Sequence, residues 1–135
     1  MSASNALVST YAKRRVTQIY DCAFRPLDLR STQFTVLAIA RIRGNLSMTE
    51  LADNMVTDRT TLSRNLRPLE KRGLIRIDHG PDRRTKMITV TRKGMLFLSQ
   101  AFPIWQAVQN SVVGQYGALR FQALLRDLGE LTHIR

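Results

Sequence analysis

The hydrophobic pattern changes its period within residues 47–93, and this change restricts the possible folds more than any other feature of the chain. Apolar residues recur every three or four positions up to residue 72, as in amphipathic helices. They then recur at every second position in two short segments separated by a charged loop, as in strands. The order helix, helix, strand, strand within 47 residues leaves few small folds to consider.

The first predicted helix begins at Ser47. Ser47 is a good N-cap residue, and Glu50, three positions later, can reach back to the Ser47 amide, which would form a capping box. The expected inner edge of this helix consists of Leu51, Ala52 and Met55, with Val56 continuing it into the turn.

The second predicted helix has one leucine face and one polar, basic face. We expect Thr57 as its N-cap and Gly73 as its left-handed C-terminal residue. Pro68 should bend or loosen it near the middle. The inner stripe would be Leu62, Leu66 and Leu69, and the opposite side would carry Thr60, Arg64, Arg67 and Lys71, flanked by Thr61 and Ser63.

Two strands follow, over about residues 74–79 and 87–90. Their alternating apolar residues are Ile75 and Ile77, then Ile88 and Val90. Residues 80–86 between them contain turn-forming residues and three cations, which favours a projecting polar loop over a tight turn. The whole segment therefore has the plan of a winged helix-turn-helix module, in which the loop is the wing.

The charge of the chain is concentrated in this module. The chain has 135 residues and a formal charge of +11, of which a net +8 lies in residues 59–93. A lone amphipathic helix would simply expose charges to water, but such a face usually mixes both signs, and here only Glu70 offsets the arginines. The concentration of cations favours an acidic partner, with duplex DNA as the first candidate.

Helices are predicted on both sides of the module, so the fold class is mainly α with a small β-hairpin wing. One helix ends before Pro26, and another runs from Ser31 as cap to Gly44 as stop, with Phe34, Leu37, Ala38 and Ile42 facing inward. Thr91 should cap a long helix that ends near Gly114 and Gly117, and a last apolar helix follows. Mutual packing of two subunits would cover these helices; an intramolecular cap on a monomer is the alternative.

Several blocks of the sequence resemble the multiple-antibiotic-resistance regulator (MarR) family of bacterial transcription factors. They are residues 31–37, 58–66 and 69–75, the segment Asp82-Arg83-Arg84, and residues 88–91 with Gly94. The resemblance implies one domain over residues 1–135, with DNA-binding residues 31–93 and dimerisation helices over 4–24 and 92–133. It further implies a homodimer in which each subunit contacts one half-site of a palindrome.

The resemblance also implies individual roles. Thr60, Thr61, Ser63 and Arg64 would contact the major groove, Arg84 would enter the minor groove, and Asp82 would orient it. Together with the exposed cations, the candidate DNA-binding residues are Arg59, Thr60, Thr61, Ser63, Arg64, Arg67, Lys71, Asp82, Arg83, Arg84 and Lys86.

Two smaller hypotheses concern single residues outside the module. Cys22 is a candidate redox sensor, although in the oxidant-sensing relatives within the family the thiol lies nearer the helix start. Tyr20, Phe102 and Trp105 are candidates for a pocket that binds a small phenolic or aromatic effector, with ordinary core packing as the alternative. One cysteine and two separated histidines provide no zinc ligand set, and we expect no cofactor.

The residues favour one of three classes of function. A cytoplasmic, sequence-specific regulator, repressor or activator, whose DNA affinity responds to a ligand is the primary hypothesis. A nucleic-acid-processing enzyme would also be basic. The acidic residues of this chain are not clustered for metal binding, however, so we expect that it is not an enzyme. A protein-interaction module would need an apolar outer face on the second helix. No stretch of the sequence reaches the ~20 apolar residues of a membrane span.

Overall fold

The computed structural model describes residues 2–82 and 84–134, with side chains described from residue 11 onward. Its elements are α1 (Ser2–Phe24), a 3-10 turn (Arg25–Leu27), α2 (Ser31–Arg43), β1 (Leu46–Ser47), α3 (Met48–Met55), α4 (Arg59–Lys71), β2 (Ile75–His79), β3 (Lys86–Val90), α5 (Arg92–Tyr116) and α6 (Ala118–Leu131). Within these described residues, no helix is both long and apolar enough to cross a membrane.

One hydrophobic core joins α2, α3, α4 and the sheet. The leucine stripe predicted for α4 is confirmed, since the side chains of Leu62, Leu66 and Leu69 are all fully buried. The same core cluster contains fully buried side chains from α2, α3, β1, β3 and the residue before β2: Val36, Leu37, Leu46, Leu51, Leu74 and Ile88. Because burial of one large aliphatic side chain contributes about 1.5–3 kcal/mol, this cluster holds α4 firmly in place.

The sheet has three antiparallel strands in the order β1-β3-β2, where the sequence predicts two. The wing pair is in the expected register, with Ile77 opposite Ile88. On its other side β3 pairs with Leu46 and Ser47, so that Leu46 lies opposite Ile88. A two-residue strand shows no alternation of its own, which is why the periodicity did not reveal it.

The helix ends agree with the sequence in part. Ser47 and Thr91 are N-caps, with their hydroxyls accepting from the amides of Glu50 at 3.1 Å and Gly94 at 3.0 Å. The Glu50 carboxylate, however, accepts from the Ser47 hydroxyl at 3.1 Å, where the capping box predicted the Ser47 amide. Gly73 is left-handed at φ +74°. The helix α2 begins one residue earlier than expected, with Arg30 as N-cap.

Two apolar residues predicted to face inward are exposed. Ile42 is 82% exposed and Val56 is 92% exposed, the latter in a left-handed conformation at φ +51°. The core side of α2 is formed by Val36 and Ala40 together with the predicted Phe34 and Leu37. Val56 is the C-cap residue of α3, whereas Ile42 lies within α2 on a side away from Val36 and Ala40.

Stacked aromatic rings join α1 and α2 to α5. The ring of Phe34 lies 5.0 Å from that of Phe24 and 6.1 Å from that of Trp105, measured between centroids. The Tyr20 hydroxyl donates a hydrogen bond to Gln109. These contacts place the long helix α5 directly behind the DNA-binding module predicted from the sequence.

Candidate nucleic-acid interface

Asp58, one residue after the expected Thr57, is the N-cap of α4. Its Oδ1 accepts from the Thr61 amide at 2.7 Å, and its Oδ2 accepts from the Thr61 hydroxyl at 2.9 Å. These hydrogen bonds lower the pKa of the Asp58 carboxyl, so it stays ionised at the positive end of the helix. The cap therefore fixes both the first turn of α4 and the rotamer of Thr61.

The outer face of α4 is polar and cationic, as the sequence predicts. Ser63 is half-buried, whereas the other six candidates on this helix are exposed: Arg59, Thr60, Thr61, Arg64, Arg67 and Lys71. Five of these side chains form no hydrogen bond to another described residue: Arg59, Thr60, Arg64, Arg67 and Lys71. These groups are free to contact a molecule placed against the helix.

The wing loop is held by backbone contacts. The Asp82 carboxylate accepts from the Arg84 amide at 3.1 Å, the Asp82 carbonyl from the Thr85 amide at 2.9 Å, and the Thr85 carbonyl from the Gly80 amide at 2.7 Å. Asp82 therefore contacts the main chain of Arg84, where the sequence suggested contact with the guanidinium. Arg84 is exposed, Lys86 is exposed at the start of β3, and Arg83 lies outside the described residues.

Arg72, which the sequence did not single out, holds the C-terminal end of α4. Its guanidinium donates to the carbonyls of Asp28 at 2.8 Å and Leu27 at 3.1 Å, and it lies 4.8 Å from the centre of the Phe97 ring. The carbonyl of Arg72 accepts from Lys93 Nζ at 2.9 Å. Arg72 thus joins α4 to the α1–α2 turn and to α5.

The three aromatic candidates lie along two neighbouring clefts behind the module. A cleft of about 240 Å³ is lined by Tyr20, Phe34 and Trp105, and a second of about 290 Å³ by Phe34, Phe102 and Trp105. Phe34 and Trp105 separate the two clefts, and the Phe102 and Trp105 rings stack at 5.7 Å. The residues are therefore brought together, although Tyr20 and Phe102 line different clefts.

Cys22 lies apart from these clefts. Its side chain is exposed and lines an open, mostly apolar groove of about 650 Å³ between α1 and α5. The groove is lined by Cys22 together with residues such as Ile19, Val108 and Val112, and its lining contains no cation. The groove lining therefore supplies no positive charge that would stabilise a Cys22 thiolate. Among the described residues, no group of three or more His, Cys, Asp or Glu side chains could hold a metal ion.

Comparisons with known proteins agree with this geometry. Residues 29–86 match the model of the MarR family. An uncharacterized HTH-type transcriptional regulator of Bacillus cereus is 37% identical over 106 residues, which are 78% of this chain and 71% of the relative. The transcriptional regulator HosA of Escherichia coli is 29% identical over 89 residues, 65% of this chain and 66% of HosA, so the match spans just under two thirds of that relative.

Among solved structures, the M. tuberculosis transcriptional regulator MosR in complex with DNA superimposes with a TM-score of 0.77. It is 36% identical, and the match covers 96% of this chain and 98% of MosR. The two chains thus share their fold over nearly the full length of both. From these matches and from its winged helix-turn-helix fold, the chain belongs to the MarR family of transcriptional regulators.

Proposed function

We propose that the chain binds duplex DNA in a sequence-specific manner, with α4 in the major groove and the wing in the adjacent minor groove. The carrying observation is that α4 has a fully buried leucine side and an exposed polar, basic side. Such a helix can expose its cations to a partner while its leucines remain packed in the core. Arginine and hydroxyl side chains are the types that contact bases and phosphates.

Two further observations support this proposal. The wing holds Arg84 beside the sheet that packs against α4, and arginine suits the negative potential of a narrow minor groove. MosR, which is 36% identical to this chain, was crystallised with DNA. The cations of α4 and the wing would contribute mainly affinity, and the groove contacts of Thr60, Ser63 and Arg64 would contribute base preference.

We further propose that the active form is a homodimer that binds an inverted repeat. The helix α6 contains no buried residue in the single chain, although Leu119, Leu125, Leu128 and Leu131 lie along it. Exposed apolar residues on this scale favour a protein interface. Two-fold symmetry would place two α4 helices about one duplex turn, ~34 Å, apart.

The aromatic clefts are the proposed site of a phenolic or aromatic effector. They lie between α2 and α5, so an occupant would touch both the DNA-binding module and the proposed dimer helices. An effector bound there would change DNA affinity by altering the angle between these parts. The stacked rings of Phe34, Phe102 and Trp105 provide flat apolar surfaces for such a ligand.

Selection of bound duplexes from a random pool tests the proposal directly. We expect recovery of an inverted repeat by the parent chain. The variant Arg64→Ala should recover a more degenerate site, while Arg126→Ala on α6 should recover the parent site. Recovery of no consensus by the parent chain would contradict sequence-specific binding, and an unchanged consensus with Arg64→Ala would contradict the role of Arg64. Repeating the selection with salicylate present tests the effector.

A further inference from the structure

A polar cleft of about 490 Å³ lies between the α1–α2 turn and the C-terminal half of α4. We call it the turn cleft, and its lining includes Asp21, Arg25, Asp28, Arg30, Pro68 and Arg72. None of Tyr20, Phe102 and Trp105 lines it, so it is separate from the aromatic clefts. Its size is within the range of about 300–1,000 Å³ that is usual for small-molecule sites.

The charges of the turn cleft favour an anion. Three guanidiniums line it, against the two carboxylates of Asp21 and Asp28. One oxygen of Asp21 is already engaged, because it accepts from the Ser31 amide at 2.7 Å. The first turn of α2 also begins at this cleft, and the positive end of its helix dipole adds to the positive potential.

Two of the guanidiniums have their donors available. Neither Arg25 nor Arg30 donates a side-chain hydrogen bond to any residue in the described part of the chain, and both side chains are exposed. Arg72, in contrast, is already bonded to the Leu27 and Asp28 carbonyls. Arg25 and Arg30 can therefore bind a ligand without breaking a contact of the fold, while Arg72 contributes a fixed charge.

The opposite wall of the turn cleft is the part of α4 that contains Pro68, where one backbone hydrogen bond is missing. Pro68 has no amide hydrogen, so the Arg64 carbonyl lacks its helical donor at this turn, although α4 continues to Lys71. A ligand held against Pro68 and Arg72 would contact α4 where its hydrogen-bond ladder is interrupted. Arg64, a proposed DNA contact, lies one turn away along the helix.

We propose that the turn cleft binds a small molecule carrying an oxyanion, carboxylate or phosphate, between the guanidiniums of Arg25 and Arg30, and that occupancy rigidifies the Pro68 turn of α4. Guanidinium forks bind both kinds of oxyanion through paired hydrogen bonds. The binding itself is independent of the proposed function. The consequence for regulation rests on that function, because it is a change in DNA affinity transmitted through the Pro68 turn of α4.

Calorimetric titration of the full chain with inorganic phosphate and with citrate tests the site. We expect saturable binding of at least one of these anions with one site per chain. The variant Arg25→Gln/Arg30→Gln should weaken that binding about tenfold or more, since it removes charge-assisted hydrogen bonds. The matched control is Arg14→Gln/Arg15→Gln, which makes the same change of net charge on α1 away from the cleft.

A +11 chain attracts anions in general, so the control decides between a site and a diffuse effect. An equal loss of binding in both double variants would overturn the proposal, as would failure of both anions to bind the parent chain. Amide hydrogen exchange over residues 65–72 tests the second part: we expect slower exchange with the bound anion, and unchanged exchange at saturation would overturn the coupling to α4. Because neither measurement uses DNA, failure here is distinguishable from failure of the proposed function.

Discussion

The Asp58 carboxylate accepts two hydrogen bonds from Thr61 at the start of α4, one from the Thr61 amide and one from its hydroxyl. The hydroxyl hydrogen of Thr61 is thus engaged within the chain, and only the oxygen lone pairs face outward. A base contact made by this hydroxyl would therefore be an accepted hydrogen bond, as from the exocyclic amino group of adenine or cytosine, and the hydroxyl could not donate to a phosphate while it is bonded to Asp58.

The Asp58 cap gives a first prediction about pH. Its pKa is lowered in the folded chain, so the stabilisation is complete above the ordinary carboxyl pKa and is lost as the pH falls through the lower, folded value. We expect the loss below about pH 4. A carboxyl-carbon NMR titration checks the shift. Asp58→Ala should lower the melting temperature at pH 7, whereas Asp58→Asn, which can still cap the helix, should largely preserve it. Equal melting temperatures for the parent chain and Asp58→Ala would show that Asp58 does not stabilise the helix as a cap.

The wing gives a second prediction. Arg84→Ala should weaken DNA binding by about 1–3 kcal/mol and make the slope of log affinity against log salt shallower by about 0.9, through loss of one cation near the backbone. Arg126→Ala on α6 is the control with the same charge change. Fluorescence anisotropy at several salt concentrations measures both quantities. A variant that binds with the affinity and slope of the control would exclude Arg84 from the interface.

The close approach at Gly94 gives a third prediction. A Cβ at this position would lie 2.0 Å from the Leu74 carbonyl oxygen, so α5 could not keep its place beside Leu74. We expect Gly94→Ala to lower the free energy of unfolding by about 3 kcal/mol, measured in urea at equal chain concentration. Gly114→Ala in the same helix meets no atom within 4 Å and should instead raise it by about 0.5–1 kcal/mol. The same small change at both positions would contradict the packing described for Gly94.

Arg72 gives a fourth prediction. Arg72→Ala leaves the Leu27 and Asp28 carbonyls without their donor and removes the contact with Phe97, so the free energy of unfolding should fall by about 2 kcal/mol. Arg67→Ala, at an exposed position of the same helix, should change it by less than about 0.5 kcal/mol. Denaturant unfolding compares the two, and similar values would show that Arg72 does not anchor α4.

The proposed dimer gives a fifth prediction. At micromolar concentration the chain should sediment at twice its mass of 15.4 kDa. Leu125→Glu/Leu128→Glu should shift it towards the monomer by placing charges in the apolar interface, while Gln122→Glu on the same helix should leave it a dimer. A parent chain that sediments as a stable monomer would refute the proposal.

Features with local signals could be predicted from the sequence. The leucine stripe of α4, the caps Ser47 and Thr91 and the left-handed Gly73 all follow from residue type and spacing, and the structure confirms them. The predicted N-cap of α4 was wrong by one residue because Thr57 and Asp58 are both good N-cap residues. Only the hydrogen bonds to Thr61 distinguish them.

Features that depend on distant contacts could not be predicted. Strand β1 exists through its pairing with β3, and the role of Arg72 depends on carbonyls 44 and 45 residues away in the sequence. Ile42 had the correct helical spacing, but α2 is rotated so that Val36 and Ala40 face the core. For the candidate interface, the sequence identified the exposed α4 residues, but the contact of Asp82 with the main chain of Arg84 required coordinates.

The pairing of β1 with β3 has a mechanical consequence. Ser47 belongs to β1 and also caps α3, so the strand that carries the wing is hydrogen-bonded to the residue at which the helix-turn-helix begins. The wing therefore cannot move independently of the helix-turn-helix, as the loop of an isolated two-stranded hairpin could. We therefore expect each winged helix of the proposed dimer to tilt as one body, and the distance between the two winged helices is then the quantity to follow.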